Sequence, residues 1–259
     1  MESLEYSYVR REVLKLTGVD LNGYKGAQMQ RRLDAYLQRT GQHSWVRLFQ
    51  LLRRDSTQLA HFRAYLTINV SAFMRDPEKY DYLREHILPM LLHARRRLRV
   101  WSAGCSHGQE AYSLAMLLAE GGVTGHRLLA TDLDEGALAI AMAGGPYSAA
   151  DIAHLSAGQV VRYLEQRDEK YWVQPTLRRS VQFSTHNLLA DPFESNFDLI
   201  VCRNVVIYFT AEKKAQLYAH FAEALRPGGV LFVGATEVVP KAISLALEPL
   251  GLSFYQRRL

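Results

Sequence analysis

The stretch Leu98–Leu118, LRVWSAGCSHGQEAYSLAMLL, decides the fold. It opens as an apolar strand from Arg99 to Ala103 and turns through Gly104-Cys105-Ser106-His107-Gly108. It leaves as a helix with Ala111, Leu114, Ala115 and Leu118 at helical spacing. A strand, a small-residue turn and a helix make the nucleotide-binding corner of an open α/β sheet. Glycines let the backbone come close to a ligand, and the helix N-terminus offers free N–H groups.

Three readings compete for such a corner. A dinucleotide asks for Gly-x-Gly-x-x-Gly, and Ser106 stands where the second glycine would let pyrophosphate approach. Gly104-Cys105-Ser106-His107-Gly108 is also a literal Gly-x-Ser-x-Gly, the nucleophile elbow of α/β-hydrolases. That triad needs an Asp and then a His on later loops; the late histidines are His186 and His220, the second inside a helical pattern. S-adenosylmethionine has no pyrophosphate, so the glycine demand relaxes, and carboxylates suit its ribose hydroxyls and its ammonium. Asp132 closes the second apolar run, Leu128 to Thr131, and Glu110 sits in the first turn of the helix after the corner. Plainer accounts exist: Glu110 complements the helix N-terminus, and Asp132 caps the helix from Glu135 onward.

At 259 residues the chain has room for a large domain with a small companion. A hydrophobic share of 48% and a charged share of 22% suit a globular protein. No apolar run reaches membrane-spanning length, and the N-terminus lacks a signal-peptide core, so a cytoplasmic location is expected. Two cysteines, Cys105 and Cys202, make no disulfide framework and suit a reducing compartment. They end the first and fourth expected strands and could face each other near the ligand; two buried thiols are the plainer account. Residues 1–100 carry 18 Lys/Arg against 10 Asp/Glu, a net of +8, while residues 101–259 carry 13 against 16, a net of −3. The basic half suggests an acidic macromolecular partner, or simply a solvated helix surface. No basic–aromatic module for nucleic acid is recognisable.

Helices are expected over 5–17, 24–40, 44–54 and 57–66, a small all-helical domain with short connections. The segment Leu66 to Asp76 sets polar Asn69, Ser71 and Arg75 among apolar residues, as a connector would. Asp76 as N-cap and Pro77 at the first position start a helix to about Leu92. After the corner come a strand at 127–131, helices at 134–143 and 156–167, and short strands at 170–173 and 176–184. The run 197–202 reads as a buried strand continued by 205–209, with Arg203-Asn204 at its carboxyl end, where open α/β sheets hold ligands. A helix at 210–225 and strands at 230–234 and 253–257 finish the chain. The alternation argues an α/β doubly wound, mostly parallel sheet with a small antiparallel β-appendage.

Four blocks then resemble a known family, the chemotaxis-receptor glutamate O-methyltransferases of the CheR type. They are LTINVSAFMRD (66–76), RVWSAGCSHGQEAYSLAMLL (99–118), ATDLDEGAL (130–138), and HNLL…FDLIVCRNVVIYF…LRPGGVLFVGATE (186–237). The resemblance implies an N-terminal helical domain (1–76), a linker helix (77–97) and a class I methyltransferase domain (98–259) with its appendage at about 168–180. It implies S-adenosylmethionine as methyl donor, S-adenosylhomocysteine as product and no metal. The implied acceptors are glutamates on the cytoplasmic helical bundle of chemoreceptors. No membrane insertion and no nucleic acid are implied, and a monomer is expected.

Residue by residue, the resemblance places Asn69, Ser71 and Arg75 beside the donor, together with Gly104. It makes Glu110 and Asp132 the acidic donor ligands, with Asp132 on the ribose. Asn187 and Leu188 match the adenine-side loop, and Arg203 and Asn204 the end of the fourth strand. Arg75 and Tyr208 match the pair that positions the substrate carboxylate. His107, Gln109, Met74 and Ser71 depart from the residues commoner at their positions, and none of these changes removes a required charge. The appendage between Gln166 and Gln174 is short for gripping a receptor-tail tether, so no tether is expected. Two rival functions remain: a donor-sensing module without catalysis, and methylation of another protein carboxylate.

Overall fold

The computed structural model describes residues 3–122, 124–251 and 253–258. Two compact units result: residues 1–68 with 208–214, and residues 69–207 with 215–259.

The first unit holds α1 (Ser3–Thr17), α2 (Gly26–Arg39), α3 (Trp45–Arg54) and α4 (Ser56–Thr67). Their inward faces bury Val13, Leu33, Trp45, Leu48, Phe49 and Phe62. Ser44 and Asp55 cap α3 and α4 by accepting backbone N–H bonds from Arg47 and from Thr57 and Gln58. The late segment 208–214 completes this unit. Lys25 N donates to the Tyr208 carbonyl at 2.9 Å, Thr210 N donates to the Gly23 carbonyl at 2.9 Å, and Tyr24 bridges Phe209.

The second unit begins at Asn69. The segment 69–76, expected with the helical domain, belongs here because its hydrogen bonds run here. Asn69 reaches Asp134, Phe73 N donates to the Asp151 carbonyl, and Met74 N donates to Ser113 Oγ. Then come α5 (Pro77–Tyr82), a π turn (Leu83–Ile87) and α6 (Leu88–Ala94). The corner follows as β1 (Arg99–Ala103) and α7 (Gln109–Glu120), then β2 (Arg127–Asp132), α8 (Glu135–Ala143) and α9 (Ala157–Tyr163).

The appendage is a hairpin of β3 (Leu164–Arg167) and β4 (Lys170–Val173). It therefore begins before the expected 168–180 and ends within it: the helix expected to run to 167 stops at Tyr163, and its tail pairs as a strand. Pro175 starts α10 (Pro175–Arg178) instead of a strand. β5 (Val181–Thr185) joins the main sheet beside β2.

β6 (Phe197–Cys202) is buried throughout. It does not continue through 205–209: the chain turns at Asn204, whose φ is 60°, into a 3₁₀ turn at Val206–Tyr208. α11 (Ala211–Ala224), β7 (Leu225–Val233), β8 (Leu247–Gly251) and β9 (Phe254–Arg257) complete the chain. The sheet order is β5-β2-β1-β6-β7-β9-β8. The five strands from β5 to β7 run parallel, and β8 and β9 form an antiparallel edge. Strand β8 was not expected from the sequence. Among the described residues no helix is long and apolar enough to cross a membrane.

Candidate active site

The carboxyl ends of β1, β2, β6 and β7 collect the polar residues of the second unit, as an open parallel sheet requires. Between β1 and β2 the corner is held tightly. Gly104 N and Cys105 N both donate to the Thr131 carbonyl, at 2.8 and 2.9 Å. Gly104 takes φ +86°, and a Cβ there would stand 2.5 Å from Val205 Cγ2, so the position admits only glycine.

Asp132 ends β2 with its carboxylate folded back over the corner. Oδ2 accepts from Ser106 N at 2.7 Å and Oδ1 from Asp134 N at 3.0 Å. Burial pushes its pKa up from the ordinary value, against those two backbone donors. The cap of α8 is Asp134, not Asp132: Asp134 Oδ1 accepts from Gly136 N and Ala137 N. Asp134 Oδ2 receives the Asn69 amide at 2.6 Å, which fixes the start of the 69–76 segment.

Glu110, in the first turn of α7, is 8% exposed and accepts from Ser102 Oγ at 2.8 Å. Burial pushes its carboxyl up to about 7; Arg203, the Ser102 hydroxyl and Arg75 pull the other way, and Glu237 adds to the rise. Arg75 is half-buried, and its Nη1 donates to the Val70 carbonyl at 3.0 Å. Among the described residues its guanidinium has no carboxylate within ion-pair distance.

Ser71 and Asn69 line a cavity of about 370 Å³ with His107, Gln109, Tyr147 and Asp151, flanking the corner. Asn187 shapes the loop after β5: its Oδ1 accepts from Leu189 N and its own N donates to Asp191. His186 N donates to the Asp132 carbonyl, so this loop, with half-buried Leu188, is pinned to the end of β2. Asn204 N donates to Glu237 Oε2 at 3.1 Å. Arg203 has its guanidinium committed to Asp76 and the Arg75 carbonyl. Tyr208 falls in the helical unit, where its carbonyl receives Lys25 N.

Cys105 and Cys202 are both buried and free, and burial raises both thiols well above their ordinary pKa. The charged groups that bear on them include Glu110 and Asp132 in both cases. Neither is a thiolate at neutral pH.

Two residues went unread in the sequence. Asp76 passed for a helix cap, but it sits at φ 61° and makes no side-chain cap bond. Glu237 clamps the ends of β6 and β7 by accepting from Gly234 N at 2.7 Å as well as from Asn204 N. Its signal was an acid closing the strand run at 230–234.

The donor set suits a small polar cation with sugar hydroxyls. It offers two carboxylates, Glu110 in the first turn of α7 and Asp132 at the end of β2, and Ser106 Oγ and Gln109 Oε1 are buried with no hydrogen-bond partner among the described residues.

Comparison with known proteins finds one family over residues 4–67 and 69–249. A family model described as "CheR methyltransferase, all-alpha domain" matches residues 4–67, and "CheR methyltransferase, SAM binding domain" matches residues 69–249. A "Chemotaxis protein methyltransferase" of Listeria monocytogenes is 41% identical over 253 residues, covering 97% of this chain and 96% of that protein. "Chemotaxis protein methyltransferase 1" of Pseudomonas aeruginosa is 36% identical, covering 87% and 86%.

Proposed function

The chain belongs to the CheR methyltransferase family, and from that premise we propose that it methylates glutamate side chains of chemoreceptors, forming glutamyl methyl esters. It is an S-adenosylmethionine-dependent methyltransferase. The observation that carries the reading is that one unit holds two carboxylates at the corner, Glu110 and Asp132, and a guanidinium, Arg75, in ion-pair contact with no carboxylate of the described residues.

Glu110 and Asp132 hold the donor's ammonium and ribose, with Asn69, Ser71, Gly104, Asn187, Leu188 and Asn204 lining its place. The donor supplies an electrophilic methyl group on a sulfonium. The acceptor carboxylate needs no general base, because glutamate is ionised at neutral pH with a reference pKa of about 4.3. Arg75 orients it, a task that the family resemblance also gives to Tyr208 of the helical unit. Charge on both reactants vanishes toward the transition state, so an over-tight ion pair with Arg75 would stabilise the ground state and slow the step. A half-buried guanidinium tethered to the Val70 carbonyl is suited to directing an oxygen without neutralising it. Alignment and exclusion of water then supply most of the rate.

The acceptor is the cytoplasmic helical bundle of a receptor, and the enzyme works there as a monomer. Transfer of labelled methyl from S-adenosylmethionine to a purified receptor cytoplasmic fragment tests the assignment. Base-labile label on the fragment is expected. Donor binding without transfer would move the substrate elsewhere or favour a sensing role. For Arg75→Ala, turnover should fall about a hundredfold or more with donor affinity within about threefold; equal losses would remove the orienting role.

A further inference from the structure

The second unit contains a fully packed cation that the methyl transfer, as described so far, does not use. Arg203 leaves the carboxyl end of β6 with its side chain 2% exposed. Its Nη2 donates to the Arg75 carbonyl at 2.9 Å and pairs with Asp76 Oδ2 at 2.5 Å. Its Nη1 stands 3.9 Å from Glu110 Oε2. The Phe232 and Tyr80 rings lie 4.6 and 5.4 Å from the guanidinium carbon. A buried cation set against two aromatic rings and bonded at Nη2 is held in place, and it fixes what it grips.

What it grips is the backbone around Arg75. Met74 and Asp76 flank Arg75 with φ of 47° and 61°, both in the left-handed region. Two such residues in a row of three persist only where the surroundings enforce them. Asp before a helix ordinarily takes an extended conformation and caps it. Asp76 does neither; its carboxylate goes to Arg203.

We propose that Asp76 and Arg203 are positioning residues for the reaction. The pair clamps the Arg75 backbone in place for the acceptor carboxylate, and Arg203 divides its charge between Asp76 on that side and Glu110 on the donor side. This rests on the assignment of Arg75 to the acceptor and Glu110 to the donor. It gives Arg203 a task distinct from contact with the donor.

The division of charge has a readable consequence. Glu110 is faced by Ser102, Arg203 and Arg75, which favour its ionised form, and by Glu237, which opposes it. Tyr80, Cys105 and Cys202 are close enough for their own protons to be held more tightly by its charge. Asp76 and Glu110 stand on the two Nη atoms of one guanidinium, so removing the Asp76 charge takes a negative charge from the neighbourhood of Glu110, which then ionises at lower pH. The donor's ammonium binds the ionised form, so the pH at which donor affinity rises moves down with it.

The test compares wild type, Asp76→Asn and Asp76→Glu. S-adenosylhomocysteine binding is measured by calorimetry from about pH 5.5 to 8.5, and methyl transfer to a receptor fragment at about pH 8. Asp76→Asn should lower kcat about tenfold or more, keep the affinity at pH 8 within about threefold, and shift the acid limb of affinity down by about half a unit or more. Asp76→Glu keeps the charge on a longer arm. It should lower kcat while the acid limb stays where wild type has it, and it serves if Asp76→Asn does not fold. Wild-type kcat in both variants, or an unmoved limb in Asp76→Asn, overturns the clamp. Failure of the wild type to bind the product or to transfer methyl overturns the site assignment beneath it.

Discussion

Glu110 shows how much one side chain can be asked to carry. Its carboxyl is buried at the first turn of α7, where the backbone dipole favours a negative charge and the lack of water disfavours it. Its pKa stands near 7 against an ordinary 4.5. Between those values the folded donor-free protein holds a proton that the unfolded chain has released, so this group's stabilising contribution is full below about 4.5 and is lost as pH rises through about 7. The stability difference between wild type and Glu110→Gln should therefore fall by about 3 kcal/mol across that window. Denaturant melts at several pH values read it directly, and S-adenosylhomocysteine should shrink the fall by compensating the carboxylate. A difference that stays flat with pH would mean the carboxyl is not held against its charge.

At the scale of elements, the strands that matter to the site announced themselves. β1, β2 and β6 lie inside a parallel sheet, so their runs are apolar on both faces, and Asp132, Arg203 and Asn204 stand out where the runs end. The appendage was expected with its second strand in place, but its first strand hid because Leu164–Arg167 continues a helical pattern into exposed residues, where burial no longer marks the period. β8 hid because an edge strand carrying Pro249 and Glu248 lacks the composition of an inner one. Asp76 hid behind Pro77, since an Asp-Pro pair is the ordinary start of a helix, and only the backbone reveals that the side chain has turned away. The cap that does form at α8 joins two elements, because Asp134 serves the helix with one oxygen and Asn69 with the other. Asp134→Ala should cost about 1–2 kcal/mol, and Asp134→Asn, which keeps a capping oxygen, less than half of that. Thermal melts of the two variants check it; equal losses would assign the whole effect to the ion rather than the cap.

Across the whole molecule, charge is distributed by sequence position: a net of +8 in residues 1–100 and −3 in the remainder. A glutamate-rich acceptor would be drawn by that first part. The screening length drops from about 30 Å at 0.01 M salt to about 8 Å at 0.15 M, so kcat/KM for the receptor fragment should fall steeply over that range. The affinity for S-adenosylhomocysteine, which is set at buried carboxylates, should change far less. Association rates that ignore ionic strength would deny the basic half a role in encounter.

The helical unit is closed by Tyr208–Lys214, a segment that follows the fourth strand of the central parallel sheet. On the ribosome the four helices emerge first, yet Tyr24 must wait for Phe209, and Gly23 for Thr210, until most of the chain has been made. A nascent chain halted before residue 208 holds an incomplete bundle, with the surface that Phe209 will cover still wet. Completion of the first-made part is thus a long-range loop closure, and it ties the maturation of the helices to the synthesis of the catalytic sheet.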